Sequence, residues 1–266
     1  MEYSLIEKII SLLDGKMTVP RTFGLFHIIS LLVLVAACIL AVRFRKIFTE
    51  KSTPYVILAV GITMTLFEIY KQLVMSYDFT SDVWSYRWFI FPFQFCSTPI
   101  YITLLAFAFS RLKNKLMYES LTSFLATYCL IAGIVVFTFP SSVFNAIIGV
   151  NIQTVVHHGL MILLAVILLA SGAVKTDISS LKKAFLVFLP LLIAALIMNA
   201  VYGNGAEFDM FYLAPDSTFV LLKIREILWG FPPYIVYLIG YVALFTLGSF
   251  LVLYITKRIR EAKSSK

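Results

Sequence analysis

The sequence predicts an all-α membrane protein of about seven transmembrane helices, with the N-terminus outside and the C-terminus in the cytoplasm. Three observations carry that expectation. The 266 residues are 61% hydrophobic and only 14% charged, with 24 Phe and 14 Tyr and a mean hydropathy of +0.93. A soluble domain runs nearer half apolar and a quarter charged. The apolar residues gather into seven runs, each close to the 20 or so needed to cross the hydrocarbon as helix. The basic residues, finally, alternate between the two sets of connections.

The spans fall at residues 23–42, 54–75, 88–109, 117–139, 151–172, 184–202 and 231–256. They form a single polytopic membrane domain over 1–266, with no linker, no repeat and no room for a separate soluble domain. One set of connections, with the tail, carries Arg43, Arg45, Lys46, Lys51, Arg111, Lys113, Lys115, Lys175, Lys182, Lys183, Lys257, Arg258, Arg260, Lys263 and Lys266. The other side has Lys8, Lys16, Arg21, Arg87, Lys223 and Arg225. The positive-inside rule puts the richer side in the cytoplasm. The net charge of +8 is thereby a topology signal, which argues against a nucleic-acid partner and for attraction to anionic lipid. Glu2, Glu7 and Asp14 precede the first long apolar run, so the first residues do not read as a signal peptide. Two shorter stretches, Ser4–Asp14 and Ser217–Trp229, sort apolar from charged residues at helical spacing and read as interfacial helices on the outer surface. Packing on the bundle and a role in admitting lipid both fit them.

Polar groups at membrane depth are costly and generally face an interior or a cavity. In the second span Glu68, Lys71 and Gln72 are spaced i, i+3 and i+4 and share one face with Thr65. The third span opens with Pro92 and Pro99, which deprive the helix of donors and invite a bend, and Gln94, Cys96, Ser97 and Thr98 cluster there. The fifth opens Asn151-Ile-Gln153-Thr154-Val-Val-His157-His158. Its adjacent histidines point about 100° apart, so one is expected to be structural. His27 begins the first span, and Asn199, Tyr202 and Asn204 close the sixth. Under the alternating topology all of these lie in the outer half of the membrane, whereas the inner halves hold almost nothing ionisable. The sorting implies one polar cavity facing the outer leaflet, lined by His27, Glu68, Lys71, Gln72, Gln94, Ser97, His157, Asn199, Tyr202 and Asn204, with Cys96 and His158 at the same depth.

Several function classes lack their chemistry. The last span, 231–256, has no lysine for a retinal Schiff base, and neither GxSG nor HExxH occurs. Cys38, Cys96 and Cys129 all lie in apolar runs, with no disulfide framework and no metal-ligand spacing. Neither a metal nor a cofactor is expected. A Glu, Lys and His relay would suit a transporter, although no broken-helix pair or inverted repeat is visible.

The blocks FPFQFCS (Phe91–Ser97), VVHHGLMI (Val155–Ile162), MNAVYGN (Met198–Asn204), FYLAP (Phe211–Pro215) and LWGFPPYIV (Leu228–Val236) resemble the YwaF-like bacterial membrane proteins, a family related to animal transmembrane protein 164. The likeness runs from about His27 to the last span and implies a multi-pass protein of a bacterial plasma membrane. The animal branch resembles a thiol-dependent lipid acyltransferase that moves an acyl chain between glycerophospholipids through a Cys and a His. By motif, His158 matches the family histidine. The animal cysteine directly follows the proline, where this chain has Phe93; Cys96 lies three residues on. Many bacterial relatives carry His at the position of Gln94. Two readings therefore stand side by side. One is a lipid acyltransferase with membrane phospholipids as partners, Cys96 as nucleophile, His158 as base, Glu68 orienting the site and Asn199 donating to an oxyanion. The other is a non-catalytic lipid or solute transporter or accessory subunit.

Overall fold

Chain segments solvated by lipid fold as helices because a helix satisfies its own backbone without water. In the computed structural model, which describes residues 5–78, 81, 83–203, 207–214 and 233–264, these segments are α1 (Leu5–Leu13), α2 (Leu25–Arg43), α3 (Thr53–Ser76), α4 (Thr98–Arg111), α5 (Lys115–Ala126), α6 (Tyr128–Thr138), α7 (Ile148–Ser171), α8 (Ile178–Tyr202) and α9 (Pro233–Ser264). Among the described residues, six helical stretches are long and apolar enough to cross a membrane: α2, α3, α5 with α6, α7, α8 and α9. The protein is thus a helical, multi-pass membrane protein.

Three departures from the expected pattern have local causes. The all-α expectation misses a small antiparallel hairpin, β1 (Tyr77–Asp78) and β2 (Val83–Trp84), in which Tyr77 pairs with Trp84. The third apolar run, expected as helix from Trp88, becomes α-helical only at Thr98. Before that it makes two short 3-10 turns, Trp88–Ile90 and Phe95–Ser97. Pro92 cannot donate, and Pro99 favours the first turn of a helix, so α4 starts there. The shorter apolar helical stretch that remains is Phe95–Arg111. The fourth run is broken at Thr127, whose φ of −122° and ψ of −76° leave the helical region. Its hydroxyl donates to the Ser123 carbonyl at 2.7 Å.

The bundle is built around α7, which packs against α2, α3, α5 and α6, while α5 also packs on α4 and α8, and α9 on α6 and α8. Helices α3 and α4 cross closely at Gly61, where a Cβ would come within 2.5 Å of the Thr103 hydroxyl. The core is aromatic: Phe95 meets Phe245 edge-on at 4.7 Å, and Tyr128 stacks on Phe188 at 4.6 Å and on Phe124 at 5.7 Å. α1 packs on the bundle, with Ile10 buried among Val74, Tyr77 and Val150 and the Tyr70 hydroxyl donating to the Leu13 carbonyl at 2.9 Å. The second interfacial helix, Ser217–Trp229, lies outside the described residues. At the other end of the bundle the Arg260 guanidinium of α9 donates to the carbonyls of Leu169 and Val174.

Candidate functional site

On α3 the i, i+3 and i+4 spacing does what helical geometry dictates. Glu68 Oε1 receives the Lys71 ammonium at 2.8 Å and the Gln72 amide at 2.6 Å. The same Gln72 nitrogen donates to the Ile90 carbonyl at 2.7 Å, tying α3 to the 3-10 turn before α4. Glu68 is buried, and its second oxygen, Oε2, has no partner among the described residues.

The histidines of α7 diverge, as their adjacency requires. His157 Nε2 donates to the carbonyl of Cys96 at 2.8 Å. His158 Nδ1 donates to the carbonyl of Thr154, one turn earlier, at 2.7 Å. A carbonyl can only accept, so each bond fixes a tautomer and leaves the other ring nitrogen with its lone pair. Those nitrogens, His157 Nδ1 and His158 Nε2, are buried without partners among the described residues. The two rings sit 5.3 Å apart, edge to face.

Cys96 lies in the turn Phe95–Ser97, two residues before α4, half-buried and packed against the aromatic core. Its backbone carbonyl receives the His157 ring N–H, and that of Ile90, six residues earlier, receives the Gln72 amide. Two hydrogen bonds, Gln72 to Ile90 and His157 to Cys96, thereby join α3 and α7 to the turns before α4, at an α3–α4–α7 junction that holds Glu68, Lys71, Gln72, Cys96, Ser97 and His157, with His158 next to His157 on α7. The space beside His158 is a narrow cleft of about 10 Å³ bounded by His27, Phe137, Pro140 and Phe144.

The remaining polar residues have structural partners. His27 Nδ1 accepts from the Phe23 backbone at 2.9 Å and its Nε2 donates to the Phe137 carbonyl at 2.7 Å, so both nitrogens are engaged in joining α2 to α6. Gln94 and Asn199 bracket the segment 207–214. Gln94 donates to the Asp209 carbonyl at 2.6 Å and accepts from Phe211 N–H at 3.0 Å. Asn199 donates to the Met210 carbonyl at 2.9 Å and accepts from Met210 N–H at 2.7 Å. Tyr202 is exposed and rests edge-on against Phe208. Asn204 lies outside the described residues.

That bracketed segment is the element sequence reasoning did not assign to the site. Phe208, Met210, Phe211, Leu213 and Ala214 are all buried, and Phe211 stacks on Phe93 at 5.8 Å. Phe211 and Tyr212 hold φ values of 59° and 56°, the left-handed region that costs a bulky residue on the order of 1–3 kcal/mol. Hydroxyls of α9 steady it: Tyr234 donates to the Leu213 carbonyl and Tyr237 to the Tyr212 carbonyl, each at 2.8 Å. Burial pushes the Tyr212 phenol up from its ordinary value. The FYLAP block is the one sequence signal that pointed to this segment.

Among the described residues no three His, Cys, Asp or Glu side chains come together to hold a metal. The model of the TMEM164 family matches residues 22–264. This chain belongs to the TMEM164 family. The match takes in all five motif blocks and every residue of the α3–α4–α7 junction, so these are parts of the TMEM164 domain rather than of an appendage. Neither the curated proteins nor the solved structures contain a match to the chain.

Proposed function

We propose that this protein is a thiol-dependent acyltransferase acting on glycerophospholipids in a bacterial plasma membrane, with seven spans, the N-terminus outside and the C-terminus cytoplasmic. One observation carries the chemistry: His158 is locked by Thr154 in the tautomer whose Nε2 lone pair is buried and, among the described residues, unused. That is the state of a general base. In the reaction, Cys96 Sγ attacks an ester carbonyl of a phospholipid as its proton passes to His158 Nε2. The tetrahedral intermediate collapses, the glycerol oxygen leaves with that proton, and the acyl chain stays on Cys96 as a thioester. A hydroxyl of a second, lyso-lipid then attacks the thioester, gives its proton to His158, and the thiol is released as it takes the proton back. His157 positions the nucleophile by holding its backbone carbonyl. The Glu68–Lys71 pair sets the local charge without adding a net one. Both amide atoms of Asn199 are engaged by Met210, which argues against its serving as the donor to the oxyanion.

The test uses purified protein with isotope-labelled phospholipid and mass spectrometry of the Cys96 peptide. The reading expects an acyl adduct on Cys96, loss of transfer in both Cys96→Ala and His158→Ala, and a double variant no worse than either single. Transfer that survives Cys96→Ala overturns it. The narrowness of the cleft beside His158, room for about one water, favours the second reading, a non-catalytic lipid or solute transporter or accessory subunit. That reading expects no adduct, and a Cys96→Ala protein indistinguishable in lipid composition from the parent.

A further inference from the structure

At the end of the bundle away from the histidines, the connections α2–α3, α4–α5 and α7–α8 enclose a cavity of about 1130 Å³. Six cations line it, Lys51, Arg111, Lys113, Lys115, Lys175 and Lys183, against three carboxylates, Glu50, Glu119 and Asp177. Two of those carboxylates are already engaged. Glu119 holds Lys183 and, more loosely, Lys115. Asp177 caps α8, its carboxylate accepting from Ser180 N–H at 2.8 Å, and that bond holds it below its ordinary value. Lys51, Arg111, Lys113 and Lys175 make no ion pair among the described residues.

The helix ends add to this excess. α3, α5 and α8 all begin at the cavity wall, and none has an acidic residue in its first turn. The positive dipole ends of α3 and α5 are therefore left uncompensated by their own first turns, whereas the Asp177 cap meets that of α8. α4 and α7 end there, but Arg260 covers the Leu169 carbonyl at the end of α7. A basic membrane face alone needs no ligand, since orientation in the membrane explains the charge. What orientation does not explain is Thr53. It lines the cavity, it is 1% exposed, and its hydroxyl has no hydrogen-bond partner among the described residues. A buried hydroxyl without a partner is destabilising unless something else completes it.

We propose that this cavity binds a phosphate monoester or diester, contacted by the Thr53 hydroxyl, Lys51, Arg111 and Lys113. The phosphate belongs either to an anionic lipid headgroup or to a soluble glycerol phosphate. The site is independent of the acyl-transfer reading, since it shares no residue with the α3–α4–α7 junction.

Two probes separate the sources. Full-length protein in neutral detergent is titrated with glycerol 3-phosphate by calorimetry. In parallel, protein extracted from bilayers of equal phosphatidylglycerol and phosphatidylcholine is examined by native mass spectrometry for the lipid it retains. A headgroup site retains phosphatidylglycerol at least about tenfold over phosphatidylcholine and ignores the soluble probe; a soluble-ligand site binds glycerol 3-phosphate directly. In either case Thr53→Val and the triple variant Lys51→Gln/Arg111→Gln/Lys113→Gln each weaken binding about tenfold or more, as loss of charge-assisted contacts to a phosphate does. The control triple Arg43→Gln/Lys46→Gln/Lys182→Gln removes equal charge from the same face outside the cavity and leaves binding unchanged. If the cavity triple fails to fold, Thr53→Val, which keeps the side-chain shape, decides alone. Binding of neither probe, or an equal loss in the control triple, overturns the proposal.

Discussion

Two ion clusters in this molecule use the same chemistry at different depths. Glu68 and Lys71 meet inside α3, with side chains 8% and 17% exposed. Glu119, Lys183 and Lys115 meet at the mouth of the basic cavity, with side chains 29%, 24% and 86% exposed. Away from water, each charge depends on its partner, because an ion left alone there has no solvent to replace it. At the cavity mouth water and salt stand in for a lost partner, so the pair adds little and costs little. Geometry alone does not separate them, since both contain a carboxylate held closely by an ammonium; surroundings do.

The largest expected effect tests that difference directly. Glu68→Gln or Lys71→Gln alone should lower stability by about 3–5 kcal/mol, read from unfolding in mixed detergent. The double variant should lose clearly less than the sum of the two. Strict additivity would mean that the charges act separately and the comparison fails. An intermediate effect comes from His27, buried like Glu68 but neutral and satisfied at both nitrogens. His27→Ala should cost about 2–3 kcal/mol through two lost hydrogen bonds and the cavity left behind. It should leave the reactivity of Cys96 toward a small thiol reagent unchanged. A large change in that reactivity would move His27 into the site. The smallest effect belongs to the cavity mouth: Glu119→Gln should shift stability by less than about 1 kcal/mol, and the shift should fade as salt is raised from 0.05 to 0.5 M, about the range over which a Debye length falls below the spacing of exposed charges. A large, salt-insensitive loss would show Glu119 to be as dependent on its partners as Glu68 is.

Features that depend on neighbours in the chain were readable beforehand. Hydropathy marked the apolar runs, because the decision between lipid and water is made residue by residue. The i, i+3, i+4 spacing brought Glu68, Lys71 and Gln72 together, and the prolines at 92 and 99 foretold the interruption in the third run. What escaped was decided across long separations. Gln94 looked like a cavity residue because nothing near it in sequence needs an amide; its partners lie at Asp209 and Phe211. Asn199 was read as an oxyanion donor for the same reason, yet Met210 takes both of its amide atoms. The break at Thr127 carries no proline or glycine to announce it. The hairpin's strands, two residues each, are too short for alternation to register. The basic cavity was hidden in a different way: a topology rule accounted for its lysines so completely that no residual charge was left to question.

The segment Phe208–Ala214 carries a practical consequence for chemical labelling. Side-chain amides from two distant stretches pin this wedge against Phe93 and Phe95, the aromatic neighbours of Cys96 in the turn. A reagent dissolved in water is expected to meet this strained, doubly anchored piece of backbone on its way to the sulfur, and one dissolved in the bilayer to bypass it. The oil–water partition coefficient of a maleimide, rather than its bulk, then ranks how fast the thiol is modified, and a panel of reagents matched in size but graded in polarity reads out the height of that wedge as a slope.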